Sequence, residues 1–206
     1  MIEHDDDFLN SLMSYPTIWV GFSGGMDSMV LLHWVVQNPL LRQKCRAIHI
    51  HHGLSTNADD WLTFCRIKCE EFNIPLIYEK VQVSSQSNVE ASAREMRYAV
   101  YQKYVQSSDI LLLGHHLDDQ IETYFLKLLR GSGLEGLSGM PKIKTHMGMC
   151  LARPFLQHTR MEIQEYATTH QLSWIEDESN DNKNFARNYL RHEVLPKIEA
   201  YWRQIS

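Results

Sequence analysis

The sequence predicts an α/β fold, a doubly wound and mostly parallel sheet with a small helical extension at its C-terminal end. Three observations carry this expectation. Over residues 17–130, short β-branched or apolar runs alternate four times with helix-periodic segments, the pattern that builds parallel strands joined by right-handed helical crossovers. The 206-residue length fits one domain, or one with a small appendage. The composition is ordinary for a globular chain, with 44% apolar residues, 22% charged residues, 10 Gly and 6 Pro, which excludes collagen-like, low-complexity and disordered classes.

The elements follow in order. Thr17–Phe22 (TIWVGF) is β-branched and aromatic, ends at Ser-Gly-Gly and leads into a helical run at Ser28–Gln37. Arg46–His51 (RAIHIH) is a second strand, followed by a helix over Asp59–Phe72 with acids in its first turn. Leu76–Val83 is a third strand, after which Ser87 and Glu90 form an S-x-x-E box opening a helix to about Val105. Ile110–Gly114 is a fourth strand. Leu117–Leu129 then places Leu117, Ile121, Phe125 and Leu128 on one helical face, which is expected to pack on the sheet. Beyond Arg130 come a Gly-rich loop, a short apolar run at Cys150–Ala152, a helix at about Thr159–His170, and a last helical stretch around Ala186–Val194.

The formal charge of −5 argues against a surface coated throughout for nucleic acid. The segment from Lys127 to Arg160 is the exception: Lys127, Arg130, Lys142, Lys144, Arg153 and Arg160 face Glu135 alone, so a basic face is expected there. Cys45, Cys65, Cys69 and Cys150 show no CxxC pair or zinc-like spacing. Cys65 and Cys69 share a helical face with Trp61 and Phe72, so they are expected in the core. The longest apolar stretch, Met29–Val36, is broken by His33 and falls short of the roughly 20 residues that span a bilayer. The N-terminus is acidic where a secretory signal is basic, so a cytoplasmic chain without membrane contact is expected.

The strongest chemical signal is Ser23-Gly24-Gly25-Met26-Asp27-Ser28, between a strand and a helix. Glycines let backbone N–H groups approach phosphate oxygens, and the helix N-terminus favours an anion. Asp27 would repel a bare phosphate and makes better sense as a magnesium ligand or catalytic partner. Asp118, Asp119 and Glu122 fall on one side of a helix following a strand, which points to a cation as partner. His49, His51, His52, His115 and His116 fall at strand ends, the edge where such sheets bind ligands. Arg94 and Arg97 lie three apart on one helix, and Arg187 and Arg191 one helical turn apart on another.

SGGMDS resembles the PP-loop of the N-type ATP pyrophosphatases. With IHIHHGL (48–54), AREMRY (93–98), GHHLDDQIET (114–123), RGSGLEGLSGM (130–140), ARPFL (152–156), WIEDESND (174–181) and ARNYLRHEVLP (186–196) in this order, the chain resembles the tRNA(Ile)-lysidine synthases from about Ile18 onward. Gly114 departs from the pattern, in which Thr is more common before the paired histidines.

The resemblance implies a PP-loop ATPase fold of the adenine nucleotide α-hydrolase type. It also implies an ATP-dependent ligase that adenylates the wobble cytidine of tRNA(Ile) bearing a CAU anticodon and joins free L-lysine to C2, with ATP and Mg²⁺ required. ATP binding would fall to Ser23, Gly24, Gly25, Met26, Asp27, Ser28, His49, Arg97 and His115. Lysine would be held by Asp119 and Glu122, the tRNA by Arg130, Lys142, Lys144 and Arg153, and the metal by Asp27. Asp27, Arg187 and Arg191 would be catalytic, the arginines stabilising the α-phosphate or gripping RNA. Residues 1–206 would form a catalytic domain with its core at about 17–130 and an extension over 131–206. The family's C-terminal tRNA-binding domains are absent from these residues, so weak tRNA binding is expected, and a homodimer is compatible. The alternative is another PP-loop enzyme, such as a tRNA thiolase or an NAD synthetase.

Overall fold

The computed structural model describes residues 6–82, 89–183 and 185–202. The elements run α1 (Asp6–Met13), β1 (Ile18–Gly21), α2 (Met26–Gln37), α3 (Pro39–Lys44), β2 (Cys45–His51), α4 (Ala58–Glu71), β3 (Leu76–Lys80), α5 (Val89–Tyr104), β4 (Ile110–Leu112) and α6 (Leu117–Leu129). They continue as β5 (Ile143–His146), β6 (Met149–Ala152), α7 (Arg160–Thr169), a single turn α8 (Ala186–Tyr189), a π-turn at Leu190–Val194 and α9 (Leu195–Trp202). The S-x-x-E box at Ser87 lies outside the described residues.

The strands form one six-stranded sheet in the order β3-β2-β1-β4-β6-β5. Every pairing is parallel except β5 with β6. Because β2 and β4 flank β1 on opposite sides, the strand order reverses at β1, and the loop after β1 opens at this switch point, where such sheets bind ligands. The doubly wound, mostly parallel architecture is therefore as expected. Alternate residues of each strand face opposite layers. Ile18, Val20, Ile110 and Leu112 enter the larger core with α2, α4 and α7, whereas Trp19, Leu111 and Leu113 meet Tyr98, Val100 and Tyr101 of α5, and Val105 just after it, on the other face.

Helix α2 is packed on all sides: every residue from Ser28 to Val36 is buried. Cys65 and Cys69 lie in the larger core as expected. Burial pushes Cys69 up to about 12 and Cys65 higher still, so both remain protonated thiols. No helix among the described residues is long and apolar enough to cross a membrane.

Four elements go beyond the sequence reading. Helix α1 rests Phe8, Leu9 and Leu12 on the core, an apolar face of barely two turns. Helix α3 begins at Pro39 and is capped by Asn38, whose side-chain oxygen accepts from the N–H groups of Leu40 and Leu41. The short apolar run at 150–152 proves to be part of β6, with β5 its antiparallel edge partner through Met147 and Gly148, at φ +51° and +79°. Two successive positive φ values are what a two-residue hairpin turn requires. Finally, the last helical stretch widens into a π-turn before α9; Pro196 lacks the N–H that would continue an α-helical ladder.

The main correction concerns α6. Its apolar face does not pack on the sheet: Ile121 is 39% and Leu128 47% exposed, while Asp119 is 8% and Glu122 1% exposed. The helix turns its acids inward.

Candidate active site

The loop between β1 and α2 is built around one hydroxyl. Ser28 Oγ accepts the N–H groups of Ser23 and Gly24 at 3.2 and 3.1 Å and donates to the Gly25 carbonyl at 2.9 Å. Ser23 Oγ lies 3.1 Å from it. Gly24 has φ +89°, a conformation that costs glycine little and other residues much. The loop thus closes on its own side chains and turns into the N-terminus of α2, leaving Met26 half-buried against the core and Asp27 in the first helical turn.

Asp27 faces the end of β4. Gly114 approaches so closely that a Cβ there would sit 2.8 Å from the Asp27 carbonyl oxygen, which gives the glycine at this position a physical reason. The Asp27 side chain is 39% exposed, yet its Oδ1 is buried without a hydrogen-bond partner. Desolvation raises its pKa, with Asp119 adding to the rise and His116 opposing it.

Opposite stands the inward face of α6. The Asp119 carboxylate accepts the His116 backbone N–H at 3.0 Å. His116 is almost wholly buried; its Nε2 lies 3.7 Å from Asp27 and 3.6 Å from Asp119, and its Nδ1 3.6 Å from Asp118. One imidazole therefore stands among three carboxylates. Burial would raise the pKa of Asp119, but His116, His115 and Arg187 outweigh it and hold the group anionic. Asp118 accepts the Arg160 backbone N–H at 2.8 Å, fastening α6 to the start of α7.

Glu122 collects both arginines of the C-terminal segment. Arg191 Nε donates to Oε1 at 2.6 Å, and Arg187 Nε lies 2.8 Å from Oε2. The latter contact is an ion pair out of line for a hydrogen bond, since both atoms lack a hydrogen-bond partner. Arg187 also donates to Thr123 Oγ1 at 3.1 Å, and Arg191 approaches Asp119 at 3.8 Å. Burial alone would lower the Arg191 pKa, and Glu122 and Asp119 reverse the shift. A cleft of about 180 Å³ opens beside this cluster, lined by Asp118, Glu122, Arg160 and Arg191 among others. A wider one of about 490 Å³ lies far away at the N-terminal edge of the sheet. There Arg42 and Lys44 already donate to the carbonyls of Phe72, Met13 and Tyr15.

The remaining candidates divide. His49 is buried and donates through Nδ1 to the Phe22 carbonyl at 2.9 Å, locking β2 to the base of the loop; desolvation lowers its pKa. His51 pairs with Asp59 at 3.1 Å. Burial and the nearby Arg97 bring His52 down to about 4, and Arg97 itself is exposed. His115 falls to about 4, chiefly by desolvation, with Asp119 opposing and Arg153, Arg187 and Arg94 reinforcing the fall. Consistent with a neutral ring, Arg153 Nε donates to His115 Nδ1 at 3.3 Å.

Arg153 is only 4% exposed and also donates to the Pro141 carbonyl, so it lies beneath the surface as a support for His115. Arg130 and Lys144 are exposed, whereas Lys142 lies 4.5 Å over the Phe8 ring. The Gly-rich loop is fastened to α6 by Gln120, whose amide pairs with both the N–H and the carbonyl of Met140. The sequence reading left His116, Asp118 and Arg160 without assigned roles. The paired histidines 115 and 116 directly before the acids of α6 were the available signal.

The loop can cradle an oligophosphate on backbone N–H groups at a helix N-terminus. Asp27 suits a magnesium ion, which is held through one or two carboxylates together with phosphate oxygens, and its buried orphaned Oδ1 is a fitting donor. Among the described residues no group of three or more His, Cys, Asp or Glu is arranged to hold a metal ion.

Residues 3–198 match the PP-loop domain family. The tRNA(Ile)-lysidine synthase of Haemophilus influenzae (strain PittEE) is 48% identical over 191 residues, covering 89% of this chain and 44% of that protein. The enzyme of the same name from Histophilus somni (strain 129Pt) is 44% identical, covering 96% and 47%. The chain thus spans about half the length of the curated relatives it matches. Among solved structures, the U34-tRNA thiolase NcsA of Methanococcus maripaludis shares the fold at TM-score 0.58 and 17% identity, covering 90% of this chain and 77% of that one. The NH3-dependent NAD synthetase of Campylobacter jejuni does so at 0.52 and 14%, covering 93% and 85%.

Proposed function

The chain belongs to the PP-loop domain family, and on that premise we propose that it acts as a tRNA(Ile)-lysidine synthase, activating the wobble cytidine of a CAU-anticodon tRNA(Ile) with ATP and joining L-lysine to its C2. The observation that carries this reading is the inward-turned acid face of α6. Asp119 and Glu122 are buried rather than spread on the surface, Asp119 sharing the His116 imidazole with Asp27, and an amine substrate needs anionic groups where the activated carbon forms. The relatives' name, tRNA(Ile)-lysidine synthase, supports tRNA as the substrate.

In this reading the loop of residues 23–28 holds the triphosphate, and Asp27 holds magnesium, which supplies neutralising charge. The C2 carbonyl oxygen attacks the α-phosphorus and pyrophosphate leaves. Asp119, kept anionic by its neighbours, and Glu122 orient the lysine side chain. The ε-amine attacks C2 and AMP departs, with the Asp119 carboxylate beside the amine placed to take up its proton. For lysine to reach Glu122, its ammonium must compete with Arg187 and Arg191, which are thereby released toward phosphate. His49 and Arg153 act as supports, and Arg97, Arg130, Lys142 and Lys144 lend positive charge for ATP or RNA. The core at 17–130 serves ATP and the extension serves RNA, in the cytoplasm, where tRNA and free lysine meet.

The test is AMP and pyrophosphate formation with tRNA(Ile) transcript and each acceptor in turn. Formation of AMP that requires tRNA and lysine together is expected. AMP formed with ammonia or a sulfur donor in place of lysine would transfer the chain to another PP-loop chemistry.

A further inference from the structure

Residues 174–178 pass beneath the β1–α2 loop. The Ile175 N–H donates to the Gly24 carbonyl at 2.9 Å, and Gly25 and Ile175 form an isolated parallel bridge. The Ile175 side chain fills the space that a side chain at 24 would need: a Cβ there would lie 2.5 Å from Ile175 Cδ1 and 3.0 Å from Cys65 Sγ. Trp174 packs against the larger core, and the Glu178 carboxylate accepts a hydrogen bond from the Asn57 amide, the residue that opens α4. The strap is thus held at both ends and touches the loop in the middle.

A trans peptide points its C=O and N–H in opposite directions. Fixing the Gly24 carbonyl on Ile175 therefore turns the next N–H, that of Gly25, away from the strap and into the loop. There it meets only Ser23 Oγ, at 3.4 Å, a weak contact that an anionic oxygen would readily replace.

We propose that Ile175 is a positioning residue of the nucleotide site, presetting the Gly24–Gly25 peptide so that its N–H is aimed at a phosphate oxygen of ATP before the nucleotide arrives. The inference rests on the reading of this loop as the ATP site. Ile175 touches no substrate; its backbone N–H and its side chain act through Gly24. The close fit also explains why position 24 excludes a side chain on two counts, its φ and the space Ile175 occupies.

The test compares wild type with Ile175→Val, Ile175→Ala and Ile175→Pro, the last removing the N–H. The readouts are Mg-ATP affinity by equilibrium binding, KM for ATP and for lysine in the complete reaction, and the melting temperature without ligand. Ile175→Ala and Ile175→Pro should weaken ATP about tenfold, as loss of preorganisation does, with Ile175→Val close to wild type. KM for lysine should stay within about twofold, a split that general loosening of the fold would not give. Should the alanine or proline chain fail to fold, a folded Ile175→Thr variant takes its place with the same expected split. ATP binding equal to wild type, or equal losses for ATP and lysine, overturns the role of Ile175 alone. Failure of the wild type itself to bind Mg-ATP removes the ATP-site reading, and this inference with it.

Discussion

Glu122 holds Arg191 through a 2.6 Å hydrogen bond, and the same carboxylate carries Arg187 at 2.8 Å on its other oxygen. This one acid, 1% exposed, joins α6 to the C-terminal helical segment. Replacing Glu122 with Gln leaves two partly buried guanidiniums without their shared anion. Breaking such a pair costs about 3 kcal/mol, and a urea titration should show a loss of that order together with loss of the lysine-dependent reaction. In Glu122→Gln combined with Arg191→Gln, part of the stability should return. A stable single variant that still uses lysine would show that Glu122 does neither job.

Gly114→Ala should disturb Asp27 directly. The added Cβ would meet the Asp27 carbonyl oxygen at 2.8 Å, and with backbone on both sides little can give. Overpacking of this kind costs about 1–3 kcal/mol. The melting temperature should fall and Mg-ATP should bind less tightly than to wild type; unchanged nucleotide affinity would place the loop's working parts elsewhere than Asp27.

Arg153 and Lys144 should separate cleanly in an RNA-binding titration against salt. Lys144 is exposed on the edge strand β5, so Lys144→Ala should weaken RNA binding and reduce the salt slope by about one. Arg153 is buried against His115 and Pro141. Arg153→Met should leave the salt slope unchanged and reduce the reaction rate. A reduced slope for Arg153→Met would restore it to the RNA-facing set.

Stability should fall on mild acidification. His52 and His115 sit at about 4 in the folded protein against an ordinary value of 6.5, so the unfolded chain takes up protons that the folded chain refuses. Their contribution is fully present above pH 6.5 and is lost as pH falls from there toward 4. Melting temperatures between pH 7.5 and 5 should decline, and the decline should be shallower in His52→Gln. A flat profile would mean that neither ring is held neutral.

The alternating pattern over residues 17–130 was legible because β1 and β4 are short, apolar and buried, β2 and β3 carry β-branched or aromatic residues between turn signals, and helices α4 to α7 carry periodic or capping signals. β5 was not, since an edge strand with Lys144 and His146 among four residues has no apolar run to read, and its turn uses Met147 where Asn or Gly would have signalled a hairpin. α6 misled for a physical reason. Its apolar side chains have the spacing of a core face, but Glu122 is drawn inward by Arg187 and Arg191, which lie remote in sequence from any local rule. The site shows the same division. The loop at 23–28 and the acids at 118–122 announce themselves by local composition, whereas the strap at Ile175 and the pairing of Glu122 with Arg191 exist only once the chain is folded.

The most direct test of the proposed ligase is transfer of labelled L-lysine to tRNA(Ile) transcript with Mg-ATP, using this chain in excess over tRNA so that a single slow turnover is still counted. The account predicts one lysine incorporated per AMP formed at the wobble cytidine, and none with Asp27→Ala or Glu122→Ala. AMP formed on the transcript with no lysine attached by the wild-type chain would contradict it.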